Sequence, residues 1–188
     1  MQKVEWKKLQ NGSDIRGVAL ADGGNPINLT TDVVKVIGSA FTLWLAEKKS
    51  KEAKELTISI GHDSRLTAKS LSVAAINGIT AFGADVVNCN LCSTPAMFMT
   101  TVTEGHEYDG AVMLTASHLP FDRNGMKFFT KEGGLEKQDI SKILELSEKI
   151  YNGEIKPETD KKGSVKDIDF ISVYAEGLVA KIREATGE

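Results

Sequence analysis

The sequence predicts an α/β domain. Three short segments read as strands, Leu56–Ile60, Asp85–Asn90 and Ala111–Leu114, and segments with apolar residues at helical spacing alternate with them. The order strand, helix, strand, helix, strand is the pattern of a sheet built with right-handed crossovers. Capping and turn residues stand at the junctions.

In chain order, Val33, Ile37, Phe41, Trp44 and Leu45 mark the inner face of a helix from Thr30 to Lys49, with Thr30 or Thr31 as its cap. The charged run EKKSKEAKE then reads as a solvated helix end, and LTISI (56–60) as a strand. Thr67 is expected to cap a second helix carrying Leu71, Ala74, Ala75, Ile79 and Phe82, which Gly83 ends. After the strand DVVNCN, Thr94-Pro95 reads as a cap followed by proline at the first helical position. AVML (111–114) is the third strand, and MKFFT (126–130) a fourth that follows a tight Asn124-Gly125 turn. An amphipathic helix is expected from Gln138 to Tyr151, ending at Asn152-Gly153. The polar stretch 155–164 reads as a linker, and Phe170 to Ile182 as a helix with little to pack against.

A chain of 188 residues can bury about 70% of the surface its unfolded form exposes, so no disulfide or structural metal is needed. Its net charge of −3 leaves no cationic excess for a phosphate backbone, which argues against nucleic-acid binding. The polar start, Met1 to Gln10, is expected to be neither a secretory leader nor an anchor, and no apolar run matches a bilayer span. Two cysteines suggest reduced thiols, and a cytoplasmic location is expected.

The chemistry concentrates after the strands. GHDSR, CSTPA and TASH each follow one directly, and parallel strands would bring all three to one sheet edge, where α/β sheets bind ligands. Helix starts at Thr67 and Pro95 would favour an anion there. Arg16, Arg65 and Arg123 sit in turns (SDIRG, GHDSR, DRNG), where the planar fork suits phosphate or carboxylate. The plainer alternative is that each closes an ion pair with Asp14, Asp63 or Asp122. Ser117-His118 invites comparison with a serine hydrolase, but neighbouring residues of an extended chain point to opposite sides and no G-x-S-x-G elbow is present. Cys89-x-x-Cys92 lacks the further ligands a zinc site needs and reads as packing. His106 reads as solvated; His62 stays undecided.

In this order SDIRG (13–17), GHDSR (61–65), STPA (93–96), TASHLP (115–120) and NGMK (124–127) resemble the first domain of the α-D-phosphohexomutases, which include phosphomannomutases and phosphoglucomutases. The resemblance implies a three-layer α/β/α domain with a mixed, mostly parallel sheet. It implies that Ser117 carries a phosphoryl group and passes it between O1 and O6 of a hexose phosphate (mannose or glucose 1- or 6-phosphate) through a bisphosphorylated sugar. His118 would lie beside the reacting centre, while Lys127 and Arg16 would serve charge stabilisation and proton transfer. Arg65, Asn124 and Thr115 would bind phosphate or hold the phosphoserine region. Mg²⁺ is the implied cofactor, with the Ser117 phosphate as this chain's one ligand. A phosphoserine of about −1.5 to −2 charge would explain the gathered cations.

Leu119 departs from the asparagine common at that place in the family, and the DGDxDR metal loop is absent. Residues 1–154 are accordingly expected to form the phosphoserine domain, and 155–188 a linker with the first helix of a second domain whose remainder is missing. Alone, the piece should not complete the mutase reaction. The alternative is a non-catalytic α/β module that holds a phosphorylated ligand on the same edge.

Overall fold

The structure, a computed structural model, describes residues 4–21, 24–158 and 161–187. The first three residues of the polar start and residues 159–160 of the expected linker lie outside these. The strands are β1 (Gln10–Asn11), β2 (Asp14–Val18), β3 (Thr57–His62), β4 (Asp85–Leu91), β5 (Gly110–Leu114), β6 (Arg123–Thr130), β7 (Gly133–Gly134) and β8 (Val165–Asp167). The helices are α1 (Thr31–Lys49), α2 (Ala68–Ala81), α3 (Thr94–Met99), α4 (Lys137–Tyr151) and α5 (Phe170–Thr186).

Among the described residues the strands form one mixed sheet in the order β1-β2-β6-β5-β3-β4-β8, with β7 on β6. Its core, β5-β3-β4-β8, is parallel, while β6 runs antiparallel to both β5 and β2. Residues alternate between the faces as a pleated strand requires. Val112, Leu114, Met126 and Phe128 join the core under α1, α2 and α4. Ala111 and Met113 face the other way and pack with Met97 of α3 and Phe170 of α5. The fold is therefore a three-layer α/β/α sandwich. None of its helices is long and apolar enough to cross a membrane, among the described residues.

Several junctions differ from expectation. Thr30 does cap α1, its hydroxyl accepting from Val33 N. Thr67 does not cap α2: it is already in a helical conformation, and its hydroxyl accepts from Asn124 Nδ2 instead. At α3 the cap is Ser93, one residue before the expected Thr94, so Pro95 stands second in the helix. Asn124-Gly125 is not a turn but the start of β6. Glycine is needed there because a Cβ would sit 2.4 Å from the carbonyl oxygen of Ile15 on β2. The polar stretch read as a linker leads into β8, which pairs parallel with β4, and Ser164 donates to the Asp85 carboxylate through both N and Oγ. His106 is half-buried, not solvated, with its ring edge-on to Phe170 at 4.9 Å. Phe170 is buried, whereas Leu178, Val179 and Ile182 further along α5 are exposed.

Candidate active site

Parallel pairing of β3 and β5 brings the segments after His62 and Leu114 side by side, and Asp63 N donates to the carbonyl of Leu114 across them. Ser117 sits in the second segment, exposed, with φ +54°. A serine in the left-handed region is uncommon and costs on the order of 1 kcal/mol, so the surroundings must impose it. Two side chains do so. Thr115 is buried and its Oγ1 accepts from Ser117 N at 2.9 Å, closing a local turn. Arg65 reaches across from the other segment.

Arg65 uses both terminal nitrogens twice. Nη1 donates to the carbonyls of Pro120 and Arg123 at 2.7 and 2.9 Å, and Nη2 to those of Ser117 and Leu119 at 3.0 and 2.7 Å. Expected to bind phosphate or to hold the phosphoserine region, it is here a backbone clamp on that region, with its four terminal N–H groups all engaged. Asn124, also expected to contact phosphate, is fully buried: Nδ2 donates to Thr67 Oγ1 and Oδ1 accepts from Gly125 N.

Arg16 and Lys127 do converge near Ser117, from different strands. Arg16 Nη1 donates to the Ala116 carbonyl at 2.7 Å, and Nη2 lies 3.4 Å from Ser117 Oγ. Nη2 also bonds Asp14 Oδ2 at 2.9 Å, and Lys127 Nζ reaches the same oxygen at 2.6 Å. Antiparallel pairing sets Ile15 opposite Met126, and one step further along that register Asp14 faces Lys127. His118 follows Ser117 on the exposed turn. His62 directs Nδ1 at the carbonyl of Asp63, 2.8 Å away.

The plainer alternative for the three turn arginines also holds: Arg16, Arg65 and Arg123 each lie within ion-pair distance of Asp14, Asp63 and Asp122. For Arg16 the same nitrogen that bonds the carboxylate also lies 3.4 Å from Ser117 Oγ. Sequence reasoning placed Asp14 only as a counter-ion for Arg16 and missed its bond to Lys127. The available signal was the i, i+2 spacing of Asp14 and Arg16, which puts them on one strand face.

Among the described residues no group of three or more His, Cys, Asp or Glu side chains could hold a metal ion. Asp14, the carboxylate beside the cations, is already taken by them. The side chains of the described residues therefore do not compose a Mg²⁺ site. Cys89 and Cys92 are buried free thiols in the smaller core. Burial pushes Cys89 up to about 12 and raises Cys92 as well, the reverse of the depression that makes a thiol reactive.

These features define an α/β/α domain that presents a serine, on a clamped and strained turn, to cations at a sheet edge. Residues 7–154 match the phosphoglucomutase/phosphomannomutase, alpha/beta/alpha domain I family model. The chain belongs to that family. It is 29% identical over 95% of its length to a phosphoglucosamine mutase of Caldicellulosiruptor saccharolyticus, covering 38% of that protein. It is 33% identical over 70% of its length to a probable phosphoglucosamine mutase of Methanopyrus kandleri, covering 31% of it. A solved structure of a phosphoglucomutase/phosphomannomutase family protein from Burkholderia thailandensis superposes over 95% of this chain and 36% of that one, with a TM-score of 0.75 at 24% identity. The chain thus spans about a third of the length of its curated relatives.

Proposed function

We propose that this chain is the phosphoryl-carrying domain of a hexose phosphate mutase, with Ser117 as the relay. The observation that carries the reading is the placement of Ser117 Oγ, on a turn held at φ +54°, 3.4 Å from the Arg16 guanidinium. In the first half-reaction the bond between Oγ and phosphorus breaks while one forms to the free O6 or O1 of a sugar monophosphate. The sugar hydroxyl proton ends on Oγ, giving free serine and a bisphosphorylated sugar. In the second half the same exchange runs backwards with the sugar's other phosphate, so the serine ester is restored and the phosphate has changed position.

Phosphoryl transfer asks the protein for positioning and for positive charge more than for a strong base. Arg16 Nη2 is placed to donate to Oγ as it leaves as an alkoxide, and Lys127, joined to Arg16 through Asp14, adds a second cation and a proton donor. His118, next in the turn, flanks the transferred group. Thr115 and Arg65 shape the segment that carries the serine, and Asn124 braces it through Thr67. Mg²⁺, when bound, would take one ligand from the Ser117 phosphoryl group and the others from sequence outside residues 1–188.

The relatives' names make glucosamine phosphate the first sugar to test, ahead of glucose and mannose phosphates. On the same reading the phosphoserine domain extends past the expected boundary at 154 to take in β8 and Phe170, the exposed remainder of α5 leads toward the next domain, and isolated residues 1–188 do not turn over. Buried, reduced Cys89 and Cys92 accord with a cytoplasmic setting. The test is to incubate the protein as its gene encodes it with labelled glucosamine 1,6-bisphosphate and Mg²⁺. One phosphoryl group should appear on Ser117, and Ser117→Ala should abolish both the label and turnover. Normal turnover by Ser117→Ala would overturn the proposal, and ligand binding without any transfer would favour a binding module.

A further inference from the structure

The serine chemistry leaves Asp14 without a role, although its buried carboxylate touches both cations. Its Oδ2 accepts from Lys127 Nζ at 2.6 Å and from Arg16 Nη2 at 2.9 Å. The same Nη2 lies 3.4 Å from Ser117 Oγ. A continuous line of contacts therefore runs from Lys127 through Asp14 and Arg16 to the serine. Among the described residues Asp14 is the one carboxylate within ion-pair distance of Lys127.

The sheet makes this arrangement stiff at one end and loose at the other. Asp14 and Arg16 share a face of β2, and the β2–β6 register, which pairs Ile15 with Met126, brings the neighbouring Asp14 within reach of Lys127. Each cation, by contrast, hangs on a flexible stem of three or four carbons. Two positive charges on such stems repel, and a carboxylate oxygen between them turns that repulsion into a fixed spacing. Without its charge, Arg16 would keep the Ala116 carbonyl and the long contact to Ser117 Oγ, and the Lys127 ammonium would be free to swing into solvent.

We propose that Asp14 is a positioning residue: through one carboxylate oxygen it holds Lys127 Nζ and Arg16 Nη2 at a set separation beside Ser117 Oγ. The inference rests on the phosphoserine reading, and Asp14 itself does not touch the transferred group. Because it fixes geometry at the reacting centre and not affinity for the sugar, its loss falls on kcat and spares KM. Misplacement of a catalytic group by about 1 Å is enough to slow a reaction about 100-fold.

The experiment measures kcat and KM for conversion of glucosamine 6-phosphate to the 1-phosphate by the protein as its gene encodes it. Asp14→Asn, Asp14→Glu and Ser117→Ala are compared with the unaltered protein. Asp14→Asn is expected to lower kcat about 100-fold with KM within about twofold. Asp14→Glu keeps the carboxylate and should recover roughly tenfold of that loss. If Asp14→Asn retains kcat, or raises KM instead, or Glu recovers nothing, while Ser117→Ala is inactive, the positioning role is wrong and the phosphoserine reading stands. Turnover by Ser117→Ala would remove both. Should Asp14→Asn fail to fold, the unaltered protein decides: a through-hydrogen-bond scalar coupling between Lys127 Nζ and Asp14 Cγ is expected by NMR, and its absence overturns the proposal.

Discussion

Replacing Arg65 with lysine keeps the charge next to Ser117 but removes the fork that spans four carbonyls. The side chain is 12% exposed, and its bonds of 2.7 to 3.0 Å go to residues 117, 119, 120 and 123. A lysine ammonium places its donors on a single nitrogen and can do the work of one of the two terminal nitrogens, each of which reaches two carbonyls, so about two bonds are lost. At a net worth of roughly 0.5–1.5 kcal/mol each, the segment should open more easily by about 1–3 kcal/mol. Because the turn is exposed, the loss is expected to be local and to leave the core in place. Native-state hydrogen exchange reads it directly. Leu119 N and Arg123 N are held by the carbonyls of Ala116 and Pro120, and Ser117 N by Thr115 Oγ1. Their exchange should speed up by roughly 5- to 150-fold, limited by the intrinsic rate, since about 1.4 kcal/mol is a factor of ten. Unchanged protection of these three amides in Arg65→Lys would show that the clamp does not hold the serine segment.

Two further outcomes concern the body of the domain. At the α1–α2 contact a Cβ on Gly78 would stand 1.9 Å from the carbonyl oxygen of Lys35, backbone that cannot give way, so Gly78→Ala must push the helices apart. A loss of about 1–3 kcal/mol is expected, read as a fall in melting temperature of about 2–4 °C per kcal/mol; an unaltered melting curve would contradict it. Burial raises the Cys89 thiol from 9.0 to about 12, so between those values the folded protein keeps a proton that the unfolded chain gives up. Its contribution is whole below pH 9, is lost as pH rises toward 12, and has a slope of at most about 1.4 kcal/mol per pH unit. Chemical denaturation at stepped alkaline pH should show a shallower decline for Cys89→Ala than for the parent, and parallel declines would refute the assignment.

The elements legible in the sequence are those whose own residues carry the signal. β3 and β5 are compact, largely apolar runs, β4 centres on Val86 and Val87, and α1, α2 and α4 show helical spacing with end signals beside them, Thr30 before α1, Gly83 after α2 and Asn152-Gly153 after α4. β2 was missed because Asp14, Arg16 and Gly17 break its apolar pattern, although four of its five residues are buried. β8 was missed because three polar-flanked residues have no periodicity, and only the free edge of β4 makes a strand of them.

The candidate site divides along the same line. The order of SDIRG, GHDSR, TASHLP and NGMK, and the position of Ser117 directly after a strand, could be read without coordinates because they are facts of chain order. Chain order could not show that Arg65 grips carbonyls 52 to 58 residues away, or that Lys127 and Asp14, 113 residues apart, meet at one oxygen. Those contacts depend on strand register and on the adjacency of β2, β6, β5 and β3, which no local preference encodes. Which residues can do chemistry was written in the sequence; which of them stand together, and which are taken up in holding the backbone, was decided by the sheet.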